Sequence, residues 1–191
     1  MNKAKNATRR SERALAFQVL YGLSFTPVTS IGALRHAFES SPDNADKRAE
    51  IVADELARFE AEKALNKDPN KVFEQKLYTR TVPKGFAWEL VEGVWAHSAE
   101  LDEIITKFSR NWRVDRMGRI ELTVLRLGIF EMLYRTDIPP KVAINEALEL
   151  AKEFGEENAR SFINGILDAT SKALDSKELE FRHSPSSPVN A

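Results

Sequence analysis

The chain has 191 residues, 42% of them hydrophobic, which is enough core for one globular domain or two small packed subdomains and excludes a disordered chain. Its 28 basic and 29 acidic residues cancel to a net charge of −1, so any nucleic-acid site has to come from local clustering rather than a global field. Zero cysteines exclude a disulfide framework, thiol catalysis and cysteine-ligated zinc.

The first residues are basic and polar without the apolar centre of a signal peptide, and no apolar run approaches the ~20 residues of a membrane span, so a soluble cytoplasmic protein is expected. From Arg9 to Leu23, the residues Leu15, Ala16, Val19, Leu20 and Leu23 fall on one helix face, with Arg10, Arg13, Phe17 and Tyr21 on the other side. Thr26-Pro27 ends that pattern, and Ile31 to Phe38 predicts a second short helix. Beyond the Ser41-Pro42-Asp43 turn, Ala45 to Leu65 reads as an amphipathic helix on Ile51, Val52, Leu56 and Phe59, its mixed charges forming a solvated face. Thr81-Val82-Pro83 predicts a helix start. Phe86, Leu90, Val91, Val94 and Trp95 then lead on to Leu101, Ile104, Ile105 and Phe108, in one long helix or in two separated by a kink near Ser98.

Trp112 to Arg116 forms a junction. Ile120 to Leu133 is apolar almost all round, as expected of a central helix buried on several sides. Asp137-Ile138-Pro139-Pro140 stops it, and Val142 to Phe154 predicts the next helix, with Gly155 as its C-terminal cap. In "FINGIL" the Asn164-Gly165 pair is a strong hairpin signal. Helical spacing nevertheless continues across it through Ile163, Ile166, Leu167, Thr170, Ala173 and Leu174, and no alternating partner strand lies nearby, so a helix is expected. Because a mid-helix glycine costs about 1 kcal/mol relative to alanine, Gly165 is expected to admit a neighbouring helix or a ligand. After Asp175 the polar run "SKELEFRHSPSSPVNA" need not fold.

Chemistry is sparse. There is no GxGxxG, no GxxxxGK[ST] and no GxSxG, and the three histidines, His36, His97 and His183, form no HxxxH or HExxH pair. Glu146 and Glu149, with Lys141 and Lys152 nearby, read as a solvated helix face. No catalytic constellation, metal site or cofactor site emerges. The N-terminal stretch is different: Lys3, Lys5, Arg9, Arg10 and Arg13 stand against one acid, Glu12. An arginine-rich helix entrance beside aromatic rings suits a single RNA strand, the guanidinium groups meeting phosphates and the rings accepting unstacked bases. A basic tail with Phe17 and Tyr21 in the core is the open alternative. A second cluster, Lys107, Arg110, Arg113, Arg116 and Arg119 against Asp115, could extend a phosphate track or pair with the acidic middle segment.

Three segments, "RRSERALAFQVLY", "RIELTVLRLGIFEMLYRTDIPPKVAINEALELAKEFG" and "FINGILD", resemble the NusB family of bacterial transcription antitermination factors. The resemblance covers about residues 7 to 23 and 112 to 175, whereas about 26 to 80 are not recognisable in it. It implies an all-α fold of two packed, perpendicular helical bundles. Residues 1–110 would form an N-terminal subdomain with the arginine-rich start and a charged insertion, 111–175 a C-terminal subdomain, and 176–191 a flexible, disordered tail. It also implies a non-enzymatic factor that binds boxA RNA of ribosomal RNA leaders together with NusE, the small-subunit ribosomal protein, in an RNA polymerase antitermination complex.

Carried onto this chain, the RNA-binding motif falls on Arg9, Arg10 and Arg13, with Lys3 and Lys5 sharing the contact. Gln18, Tyr21 and Phe162 match further RNA-facing positions, and Glu121, with Arg119, matches the NusE-facing surface. For Glu121 a carboxylate at the helix dipole is the alternative. Asn145 and Glu146 are expected to satisfy backbone groups at the helix junction, and Asn158 to be an N-cap. Two other functions stay open: a helical protein-binding scaffold without specific RNA binding, and the RNA-recognition part of a ribosomal RNA methyltransferase, although the latter enzyme needs a cofactor domain and a catalytic cysteine. Monomer and homodimer are both compatible with the sequence.

Overall fold

The computed structural model describes residues 2–42, 83, 85–109, 114–156 and 158–182, with side chains from Arg9 onward except that of Asp115. The helix expected over 45–65, the start at Thr81-Val82, the basic residues Arg110 and Arg113, His183 and the side chains of Lys3 and Lys5 lie outside the described residues. Seven α-helices and no strand occur among those described: α1 (Asn2–Leu23), α2 (Ile31–Glu39), α3 (Phe86–Ala96), α4 (Ser98–Phe108), α5 (Arg119–Tyr134), α6 (Pro140–Phe154) and α7 (Ala159–Asp175). A 3-10 turn at Val114–Arg116 precedes α5.

The chain divides into two compact units, Met1–Pro27 with Phe86–Ala191, and Val28–Gly85. In the second, Ser30 caps α2: its Oγ accepts from the Ala33 N–H at 3.2 Å, satisfying one of the donors that a helix start leaves open.

In the first unit α5 is the axle. From Thr123 to Tyr134 every residue but Arg126 is buried, and the helix packs against α1, α3, α4, α6 and α7. Arg126 turns outward to make two 2.7 Å bonds to Asp102 of α4. Burial of Leu125, Ile129 and Leu133 contributes roughly 2 kcal/mol each. Two glycines permit this crowding. A Cβ at Gly93 of α3 would collide with the Phe130 ring, and one at Gly128 would lie 3.1 Å from Leu167 and 3.2 Å from Ala147.

The helix ends follow from local chemistry. His97 interrupts α3 and α4, and α6 begins at Pro140, whose missing N–H costs nothing in a first turn. Gly155 does end α6, but with extended rather than left-handed backbone. Space is its reason: a Cβ there would lie 2.7 Å from the Ala151 carbonyl oxygen. The helix α7 runs unbroken through Asn164-Gly165. Nothing lies within 4 Å of a Cβ at Gly165, so no neighbouring helix of the described chain accounts for that glycine.

Beyond Asp175 the chain is tied down as far as Arg182, where an unfolded tail was expected from Ser176. Lys177 adopts φ 61°, turning the chain back, and the Leu179 N–H donates to the Ala173 carbonyl at 3.0 Å. The Arg182 N–H then donates to the Leu133 carbonyl at 2.7 Å, and its guanidinium to Glu100 at 3.0 Å. Residues 183–191 lie outside the described set.

Candidate nucleic-acid interface

The first helix begins on polar sequence and places Arg9, Arg10 and Arg13 within successive turns. Each meets a carboxylate from another element. Arg9 donates to Asp137 at 3.1 Å. Arg10 forks onto Glu146 at 2.9 and 3.3 Å, and lies 3.6 Å from Glu149. Arg13 forks onto Glu131 at 2.7 and 2.8 Å and lies 3.5 Å from Glu146.

Their settings differ sharply. The Arg10 side chain is 55% exposed, whereas those of Arg13 and Glu131 are 5% and 3% exposed. Arg13 therefore offers no free charge to a strand in solvent; its place is beneath the entrance, contrary to its expected position on the open face of α1. Phe17 is likewise buried, which leaves Gln18 as the exposed residue between Leu15 and Leu20.

Phe86, at the start of α3, underlies the cluster. The guanidinium groups of Arg9, Arg13 and Arg135 lie 5.2, 5.0 and 5.1 Å from its ring centroid, attracted by the negative face of the ring. Arg135 also donates to Asp137 at 3.0 Å and pairs with Glu89. The hydrogen bond from Arg135, helped by Arg9, holds the Asp137 carboxyl below the usual aspartate range. Burial pushes Glu131 above the usual glutamate range against the opposing pull of Arg13, while the Glu146 hydrogen bond and charge keep Arg10 more firmly protonated.

A column of rings continues from this cluster. Phe154 of α6 stacks on Phe17 at 4.5 Å, Phe17 on half-buried Tyr21 at 5.8 Å, and Tyr21 meets exposed Phe25 edge-on at 5.1 Å. Arg119 caps the column, its guanidinium 4.2 Å from the Phe25 centroid. Phe162 is half-buried on the second turn of α7. Glu121 curls back over Gly118, the N-cap of α5, where its carboxylate complements the helix dipole.

Several expectations change. Glu146 and Glu149 are cross-helix partners of arginine, not a solvated face with lysines, and Glu146 serves Arg10 and Arg13 instead of backbone groups at a junction. Asn158 occupies the N-cap of α7 but makes no side-chain cap bond. His97 accepts or donates at 3.0 Å with the Tyr134 hydroxyl, a packing role, and the described residues hold no cluster of three metal-ligating side chains. Asp137, Glu131, Phe86 and Phe25 were not anticipated at the site. Arg13 lies three, four and seven residues before Ala16, Phe17 and Leu20, all buried, and that spacing was the available signal.

No helix among the described residues is long and apolar enough to cross a membrane. A family model described as the NusB family matches residues 10–172. The transcription antitermination protein NusB of Nitratidesulfovibrio vulgaris (strain Miyazaki F) is 56% identical over 178 residues, covering 93% of this chain and 96% of that relative. Among solved structures, T. maritima NusB aligns with a TM-score of 0.60 at 26% identity, covering 90% of this chain and 97% of its own. A structure of antitermination factors NusB and NusE in complex with double-stranded RNA aligns with a TM-score of 0.50 at 24% identity, covering 86% and 96%, and shares the fold.

Proposed function

This chain belongs to the NusB family, and from that premise we propose how it acts: as a non-enzymatic RNA-binding transcription antitermination factor, taking boxA-type RNA of ribosomal RNA leaders together with NusE to promote read-through by RNA polymerase. Such a factor works in the cytoplasm. The observation that carries the RNA site is the pair of arginines, half-buried Arg9 and exposed Arg10, opening a helix that also bears half-buried Tyr21.

In this reading Lys3, Lys5, Arg9 and Arg10 contact phosphates, and Arg13 fixes the entrance from beneath. Gln18 lies along the strand, and Tyr21 and Phe162 stack bases, each such contact being worth about 1–3 kcal/mol. Glu121 and Arg119 face NusE, whose own RNA contacts add to those of this chain, so that two weak interactions combine. Within the unit that joins Met1–Pro27 to Phe86–Ala191, α1 serves as the RNA-facing side and the start of α5 as the partner-facing one. A scaffold without specific RNA binding is the second reading, favoured by the carboxylates that already hold Arg9, Arg10 and Arg13.

Binding of a short boxA-like single strand and a scrambled control, with and without NusE across a salt series, separates the two. The antitermination reading expects sequence preference, gain with NusE, a log–log salt slope near about −0.7 per phosphate contact, and loss on reversing Arg9 and Arg10 to Glu. Equal weak binding to both RNAs, indifferent to NusE, would leave the scaffold.

A further inference from the structure

Resting on the RNA-binding reading above, we propose that Glu146, Glu149 and Asp137 are built-in counter-anions that occupy the outer arginines in place of RNA phosphates and thereby set RNA affinity. The argument starts from the guanidinium fork. A carboxylate and a phosphate present similar paired oxygens to it, so what holds one can hold the other. On Arg10, Nε and Nη2 are taken by Glu146 and Nη1 faces Glu149, so a phosphate that engages this fork has to displace a carboxylate.

The exchange is cheap because of how the acids are shared. Glu146 also faces Arg13, and Asp137 also binds Arg135. When an outer arginine leaves, its carboxylate keeps an inner one: Arg13 stays with Glu146, and Arg135 stays with Asp137. No acid that is mostly buried is left uncompensated, which is the step that makes breaking a buried pair expensive. Glu149 has Arg10 as its only ion-pair partner among the described residues, but it is 42% exposed and water can take over. Arg9 and Arg10 are thus held at exposed-pair strength, while the less exposed Arg13 and Arg135 keep their partners when an outer arginine leaves.

Glu149 then opposes an incoming strand directly, together with Glu153, which lines the same groove beside Arg10, Arg13 and Lys152. RNA that binds must place a phosphate well enough at Arg10 to outcompete both Glu146 and Glu149. The acids therefore suppress loose binding to arbitrary RNA more than binding to a strand fixed in register by its bases.

The test uses the full chain and the same short RNA. Glu149→Gln is expected to tighten binding about threefold, within the range of an exposed ion pair, because the phosphate at Arg10 then has one carboxylate fewer to displace. The gain should vanish in an Arg10→Ala background. Glu103→Gln, the same charge change on the exposed surface of α4, should produce no comparable gain. Unchanged or weaker binding by Glu149→Gln overturns the proposal, and weaker binding would mean that the acid positions Arg10 for RNA rather than competing for it. A gain that persists without Arg10, or that Glu103→Gln reproduces, also overturns it. Failure of the RNA reading itself is separate, since it appears as wild-type binding insensitive to RNA sequence and to reversal of Arg9 and Arg10.

Discussion

Arg13 and Glu131 are both charged, both buried and 2.7 Å apart, on two helices of the first unit that pack together. Taking either one away leaves the other without compensation. Arg13→Ala is therefore expected to cost about 3–5 kcal/mol of stability, read as a lower denaturation midpoint with unchanged slope, whereas Arg10→Ala, at an exposed pair, should cost no more than about 1 kcal/mol. Similar small losses for both would show that the buried pair is not what joins α1 to α5. This distinction was only partly legible in the sequence. The concentration of arginines was plain, but charge counting treats Arg9, Arg10 and Arg13 alike. A glutamate inside a helix apolar almost all round demanded a cation, and nothing local in the sequence said that the cation sat 118 residues earlier.

At the level of elements, period and punctuation carried most of the reading. The helices around Leu15 to Leu20, Ile120 to Leu133 and Ile163 to Leu174 repeat buried residues at helical spacing, and proline marks the start of α6. Gly165 keeps that helix despite its cost. With open space beside it, Gly165→Ala is expected to stabilise the protein by about 1 kcal/mol, measurable by thermal or chemical denaturation, and a loss of stability would reveal a neighbour that the described chain does not supply. The strap after α7 was not legible, because its hold depends on backbone bonds and one arginine rather than on apolar burial. Burial pushes the Glu100 carboxyl up, but hydrogen bonds from Tyr134 and Arg182 outweigh it and hold the group below the ordinary 4.5. A carboxyl lowered in the folded state adds stability above its unfolded value, and that stability is lost as pH falls through the folded value. Melting temperature should therefore fall from pH 7 to about pH 3 less steeply in Glu100→Gln than in the wild type, with His97 still beside Tyr134 in both. Parallel acid profiles would mean that the strap does not depend on this carboxylate.

For the whole molecule, the family and the all-α fold were legible because the matching segments include the helices that pack on one another. The two-unit division was not, because α1 joins the helices after Phe86 while the segment between forms its own unit. One small feature gives this arrangement a practical use. Three guanidinium groups crowd one phenyl ring at Phe86, and an aromatic ring current displaces the magnetic resonances of whatever lies over its face. Arg9 and Arg13 should thus carry distinctive proton shifts in the free protein. Departure of Arg9 toward a phosphate would move its signals back toward ordinary arginine positions while those of Arg13 stay in place, so that the two residues, four apart on one helix, serve as a reporter and its internal reference.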